Sequence, residues 1–266
     1  RFPDFKPNNK SLGVLYALLG SVPDKYKWGV TLLGMEGSVE RGLNDLGDLV
    51  AYGKKNDYIY QDETVIYYAF LVFHLLDDKE KAWQILADNG FTEKNSLMAV
   101  YSCAHIGIYG LHNEEALKIL QCRTQDTAYA AFPFLYYLEG LGKLNKLDTM
   151  AYKRFIKFIS LYKGEDHLKS AYQKIAWNML LEGDTIGYMN YILKAENTGA
   201  TTVDADKQAQ REAGAEKPNI HLLRARILFD GGYYELAVQE LAPLTENSFA
   251  TIDEQTEHLY RLGRIY

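Results

Sequence analysis

The sequence predicts an all-α protein, on three observations. Apolar residues recur at intervals of three and four along the chain, strand-like alternation is nowhere sustained, and glycine or proline punctuates the helical stretches. Ala116, Leu117 and Leu120, or Tyr172, Ile175, Trp177, Met179 and Leu180, have the spacing that lays an apolar stripe along a helix. Breaks fall at Gly20, Pro23, residues 34–37, Gly53, Asn89-Gly90, Gly110, Gly164, Gly183-Asp184, Gly199, Pro218, Gly231-Gly232 and Pro243, with glycine stops and proline starts. These marks predict fourteen or fifteen helices of about 10 to 18 residues with short connections.

Composition agrees with that reading. Apolar residues make up 47% of 266, enough to bury a substantial core, and the six prolines leave Asp24 to Phe132 free of them, which argues against a sandwich or barrel. Twenty-nine Lys and Arg against 35 Asp and Glu give a formal charge of −6, which disfavours a sequence-independent grip on nucleic acid. The longest apolar run, Val65 to Leu76, spans twelve residues, and about 20 are needed to cross a bilayer. No transmembrane segment is expected. Residues 1–7 lack the order of a signal peptide, so export would need a leader before Arg1. Cys103 and Cys122 read as ordinary thiols on helices rather than a disulfide framework.

In chain order, residues 10–56 read as helices without repeat marks and 1–56 as an N-terminal cap region. Residues 57–266 carry a period, clearest over 221–241: small Ala225, large Leu228, Gly232 and Tyr234 at a turn, then Ala237 and Leu241. This unit resembles a tetratricopeptide repeat, matching its eighth, eleventh, twentieth and twenty-fourth places. Ala82 and Ala116, both at the twentieth place, lie 34 residues apart, the family's period. The eighth places fall at Phe70, Ala104, Leu138, Ala176, Ala225 and Gly263, in steps of 34, 34, 38, 49 and 38, and Arg224 fills a seventh place that is usually leucine. The resemblance implies a right-handed α-α superhelix of five to six degenerate hairpins, the last truncated, with small residues where helix A approaches helix B.

Residues 32–46 are similar to a glycine-rich segment of the inclusion-body-clearance family of eukaryotic tetratricopeptide proteins, which implies an adaptor role and a helical cap. The 49-residue step marks an insertion, 198–217, whose low hydrophobicity predicts a mobile loop with one short solvated helix. A terminal half-repeat exposing Leu262, Ile265 and Tyr266 predicts that more chain or another molecule covers that face.

Catalytic and metal-binding patterns are weak. Cys103 and His105 stand two apart, pointing about 200° apart on a helix, so they cannot face one ion with His112 and Cys122. No Gly-x-Ser-x-Gly or His-Glu-x-x-His occurs. Gly140-Leu-Gly142-Lys143 is too short for a phosphate loop and reads as a helix end, and the acidic pairs Asp77-Asp78, Glu114-Glu115 and Asp253-Glu254 read as helix starts. No enzyme activity, cofactor or metal is expected.

Twenty-one tyrosines are the unusual feature of the composition. In tetratricopeptide arrays helix A lines a concave groove through its second, fifth, ninth, twelfth and thirteenth places. Carried over, the resemblance assigns groove positions to Tyr67 and His74, then Tyr101, His105 and Tyr109, then Gln173 and Trp177, and last Arg226, Tyr260 and Arg264. Thr64, Leu71, Met98, Leu135, Glu139 and Asn219 hold further places of the same kind. The Lys-and-Asn pairs that clamp a C-terminal carboxylate in one branch of the family are absent. The expected function is a non-catalytic scaffold taking a protein or peptide segment in an aromatic groove, with Arg226 and Arg264 reading an acidic group. The alternatives are a carbohydrate-binding component of a glycan-capture system, stacking sugars on rings such as Trp177, or a helical-toroid glycosidase.

Overall fold

The computed structural model describes residues 5–32, 34, 37–122 and 132–266. The glycine-rich segment 32–46 therefore lies partly outside the described residues, at Leu33, Met35 and Glu36. Among the described residues there are fifteen α-helices and no strand. They are α1 (Asn8–Gly20), α2 (Asp24–Leu32), α3 (Val39–Gly53), α4 (Gln61–Leu75), α5 (Lys79–Ala87), α6 (Leu97–Tyr109), α7 (Asn113–Cys122), α8 (Phe134–Asn145), α9 (Tyr152–Leu161), α10 (Leu168–Leu181), α11 (Thr185–Asn197), α12 (Asp204–Ala213), α13 (Ile220–Asp230), α14 (Tyr234–Leu241) and α15 (Ile252–Ile265). The all-α expectation holds, and neighbouring helices pair: α4 with α5, α8 with α9, α10 with α11, α13 with α14. Lengths run from 8 to 15 residues, so the shortest fall below the expected range.

The chain divides into two compact units, Arg1–Ile106 and Gly107–Tyr266. In the first, Ser38 caps α3 by accepting the Arg41 N–H, and Asp78 caps α5 through the Lys81 N–H at 3.0 Å, the helix-start role expected of the 77–78 acidic pair. Helix α3 presents Leu43, Leu46, Leu49 and Val50 to the core, where α4 adds Val65, Ala69 and Val72. The α1–α3 seam is made of small residues. A Cβ on Gly13 would stand 2.9 Å from the Gly42 carbonyl oxygen, and one on Gly42 would stand 2.5 Å from the Ala17 nitrogen. Replacing either glycine would drive the two backbones apart.

In the second unit two glycines at expected turn positions have left-handed backbone. Gly183 and Gly232 both have φ +81°, and Asp184 after the first caps α11 by accepting the Gly187 N–H at 2.8 Å. Glu114-Glu115 and Asp253-Glu254 occupy the first turns of α7 and α15, where carboxylates suit the helix dipole. Small residues at the eighth and twentieth places, Ala116, Ala176, Ala225 and Ala237, are buried, as are Ala82 and Ala104 of the first unit.

One helix-end expectation is corrected. Gly140 and Gly142 lie inside α8, both buried. They are there for close approach: a Cβ on Gly140 would meet the Phe155 ring at 2.9 Å, and one on Gly142 the Leu117 side chain at 2.9 Å. A polar knot lies beside them. Asn113 donates through Nδ2 to the Gly142 carbonyl and to the Tyr233 hydroxyl, both at 2.9 Å, and that hydroxyl donates to Glu114 at 2.7 Å. Burial and the Glu114 carboxylate push the Tyr233 phenol up to about 12.

Candidate functional site

In the first unit, three expected groove residues gather around a fourth side chain that the repeat register had treated as an interhelix spacer. Phe70 on α4 stacks on Tyr101 of α6 with centroids 6.0 Å apart and an interplanar angle of 16°, and it lies 5.4 Å from His105 and 6.0 Å from His74. Tyr101 and His105 are 5.6 Å apart, the two imidazoles 6.1 Å, and Phe73 closes the group from below His74 at 5.0 Å. Helical spacing explains the gathering: 67, 70, 71 and 74 share one face of α4, as do 98, 101 and 105 of α6. Tyr67 and Met98 sit at the margin, 39% and 52% exposed. The Tyr67 hydroxyl donates to Glu63 at 2.9 Å, and Glu63 also pairs with Lys10 at 2.5 Å. The hydrogen bond to Glu63 raises the Tyr67 phenol, while Lys10 and Tyr67 hold the Glu63 carboxyl below its ordinary range. Thr64, also a groove place by register, is instead buried, its hydroxyl donating to the Tyr60 carbonyl at 2.9 Å.

The second unit brings Gln173, Trp177 and Arg226 together, under cover. Gln173 and Trp177 are 1% and 4% exposed, so no sugar ring or peptide reaches the indole in this arrangement. Part of the cover is the insertion, which meets Gln173 and Arg226 through Glu212. Its expected short helix is present as α12, but it is not solvated all round: Asp206 and Ala209 are fully buried. Asp206 accepts the His167 N–H at 2.5 Å and the Ser170 N–H at 2.9 Å, capping α10 from another segment. Two turns on, Glu212 accepts from Gln173 Nε2 at 2.7 Å and from both terminal nitrogens of Arg226, at 3.0 and 3.2 Å. Burial opposes ionisation of Glu212, and the charge and hydrogen bonds of Arg226 outweigh it, holding the carboxyl below its ordinary range.

The Trp177 ring carries two cations, Lys174 Nζ at 3.6 Å and Arg226 Cζ at 4.7 Å from its centroid. Burial, with repulsion from Arg226, pushes the Lys174 ammonium down to about 7 against the pull of Glu212 and Asp230. Lys174, Asp206 and Glu212 carry no mark in the sequence: on an insertion rich in charge, carboxylates at 206 and 212 look like solvated surface.

The remaining expected positions are scattered. Tyr109 is exposed at its edge and hydrogen-bonded to Tyr137, whose phenol is raised well above its ordinary value, first by burial. Asn219 caps α13 through the His221 and Leu222 N–H groups. Arg264 lies over the Phe229 ring at 4.5 Å and over exposed Tyr260 at 5.8 Å. Arg224, the departure from the repeat pattern, donates to Glu240 at 2.7 Å. That pair lines an open cleft of about 340 Å³ with Lys146, His221, Leu236 and Leu244.

Cys103 is buried, and burial pushes its thiol up to about 12, the state of an inert core side chain. Among the described residues no group of three His, Cys, Asp or Glu could hold a metal ion, and no helix is long and apolar enough to cross a membrane. Comparison of the chain with protein-family models, with curated proteins and with solved structures finds no match.

Proposed function

We propose that the chain is a non-catalytic scaffold whose tetratricopeptide-like hairpins wind as a right-handed superhelix and bind an extended peptide or a helix of another protein on the aromatic face of α4 and α6. One observation carries this reading: Phe70, His74, Tyr101 and His105, from two helices, form one ring cluster with Tyr67 and Met98 exposed beside it. Rings fixed by neighbouring rings lose little freedom when a partner covers them, and tyrosine and histidine edges give polar tips for orientation. Methionine adapts to irregular apolar side chains. Such a surface recognises shape and apolar side chains at alternate positions of a segment, with no bond made or broken.

The test is a peptide-display selection on the whole chain, counter-selected against a His74→Ala, Tyr101→Ala variant of matched helicity. Enriched peptides should bind the unaltered chain and lose roughly tenfold or more on the variant, the usual cost of truncating two aromatic anchors. Failure to enrich any sequence, or equal binding to both proteins, would remove the aromatic face from consideration.

A further inference from the structure

Helix α1 is inverted for a helix beside water. Its inner face is Gly13 and Ala17, seated on Gly42 of α3. Its leucines lie on the other side: Leu12, Leu15 and Leu18 are 42%, 39% and 48% exposed. At 100° per residue the three cover an arc of about 120°, centred opposite the Gly13–Ala17 seam. The core thus takes the small residues, and the larger apolar side chains are left as an outer face.

Three residues separate α1 from α2, which is also exposed and has a different chemistry. Lys25, Tyr26, Lys27 and Trp28 are consecutive and exposed, Trp28 to 70%, and α2 contributes no buried side chain among those described. Charge is skewed in the same place. Residues 1–32 hold five basic side chains, Arg1, Lys6, Lys10, Lys25 and Lys27, against Asp4 and Asp24, a local +3 in a chain whose remainder is −9. Arg41 of α3 adds a further cation at the edge of α1, over the Tyr16 ring at 4.0 Å.

Exposed leucines beside a tryptophan and a tyrosine, bracketed by lysines, have the chemistry of an interfacial element: apolar groups for the acyl boundary, indole and phenol at headgroup depth, ammonium groups for anionic lipid. We propose that α1 and α2 form a membrane-surface docking face for an anionic bilayer, with Leu12, Leu15, Leu18 and Trp28 entering the headgroup–acyl boundary and Lys25 and Lys27 resting on the headgroups. At 13 residues α1 is too short to span, so it lies in the plane of the surface. Charge selects lipid over a neutral protein patch as the occupant: residues 1–32 carry a net +3 against −9 in the rest of the chain, with Lys10 paired to Glu63, Lys27 paired to Asp24 and Lys25 exposed.

The experiment uses the whole chain with vesicles of three parts phosphatidylcholine to one part phosphatidylserine, and with phosphatidylcholine alone. Trp28 is a built-in reporter, since Trp83 and Trp177 are only 6% and 4% exposed. Co-sedimentation with the anionic vesicles and a blue shift of tryptophan emission are expected. A Lys25→Glu, Lys27→Glu variant should bind at least roughly tenfold more weakly. A Leu15→Ser, Leu18→Ser variant of unchanged circular dichroism should lose the blue shift. Absence of sedimentation and shift, variants that bind like the unaltered chain, or equal binding to phosphatidylcholine alone would each overturn the proposal. So would a blue shift that grows with protein concentration without vesicles, which would assign the face to a second copy of the chain.

Discussion

The aromatic face of α4 and α6 and the ionic cluster of α10, α12 and α13 both contain residues that the sequence assigns to a groove, yet one is open and the other closed. On α4 and α6 the rings of Phe70, Tyr101 and His105 lie together with Tyr67 and Met98 exposed beside them. On α10 the matching places, Gln173 and Trp177, are buried: Gln173 is held by Glu212 of α12, which also pairs with Arg226, and the Trp177 ring lies against Lys174 and Arg226. Residues expected at equivalent groove positions therefore lie open in one place and closed in the other, according to what packs in front of them.

The most damaging way to break the closed region is Asp206→Ala. It leaves the His167 and Ser170 amides without their buried acceptor and is expected to cost about 2–4 kcal/mol, read as a lower urea midpoint. Asp206→Asn keeps one acceptor oxygen and should cost less. Next comes Arg226→Ala, which strands the partly buried Glu212 carboxylate and should cost about 1–3 kcal/mol. The double change Arg226→Met, Glu212→Gln should recover much of that, because the penalty is the unpaired charge rather than the lost bond.

A smaller effect concerns Lys174, which loses its proton near 7 in the folded chain against an ordinary 10.5. Between those values the unfolded chain binds more protons, so stability rises with pH across the interval and falls on acidification toward 7. Lys174→Met should flatten this rise, seen in unfolding curves at stepped pH. The open face should respond least. Met98→Glu adds a charge at an exposed margin and should change stability by no more than about 0.5 kcal/mol, while abolishing peptide binding if that face is the partner site. A large loss of stability would instead close the face and erase the contrast.

Much of the fold is legible in the sequence, because steric demands at helix crossings leave marks. Ala82, Ala104, Ala116, Ala176, Ala225 and Ala237 are spaced as small residues must be where helices meet, and all are buried. Gly183-Asp184 reads as a break between helices, and the structure has a left-handed glycine there, with Asp184 capping the next helix. Gly140 and Gly142 mislead because glycine serves close approach as readily as termination, and only the Phe155 and Leu117 side chains packed against them distinguish the two uses. In the candidate site, His74, Tyr101 and His105 follow from register, whereas Phe70 was hidden by occupying a place reserved for small residues. Glu212 and Asp206 were not legible, since a carboxylate held by a distant amide or guanidinium looks the same in sequence as one held by water.

The cap that Asp206 places on α10 also sets an order of events during synthesis. The amides of Ser170 and His167 precede their acceptor by 36 and 39 residues, so α10 leaves the ribosome with a fraying first turn. At about 5–20 residues per second the wait lasts seconds, far longer than the microsecond scale of helix formation. For that time the α10 face that meets α12 is uncovered, and the Trp177 ring waits longer still for Arg226, so the growing chain presents an adhesive surface that its finished form conceals. Slower translation across the insertion would lengthen this exposure, and a nascent-chain binder that recognises indole and leucine would find its substrate there.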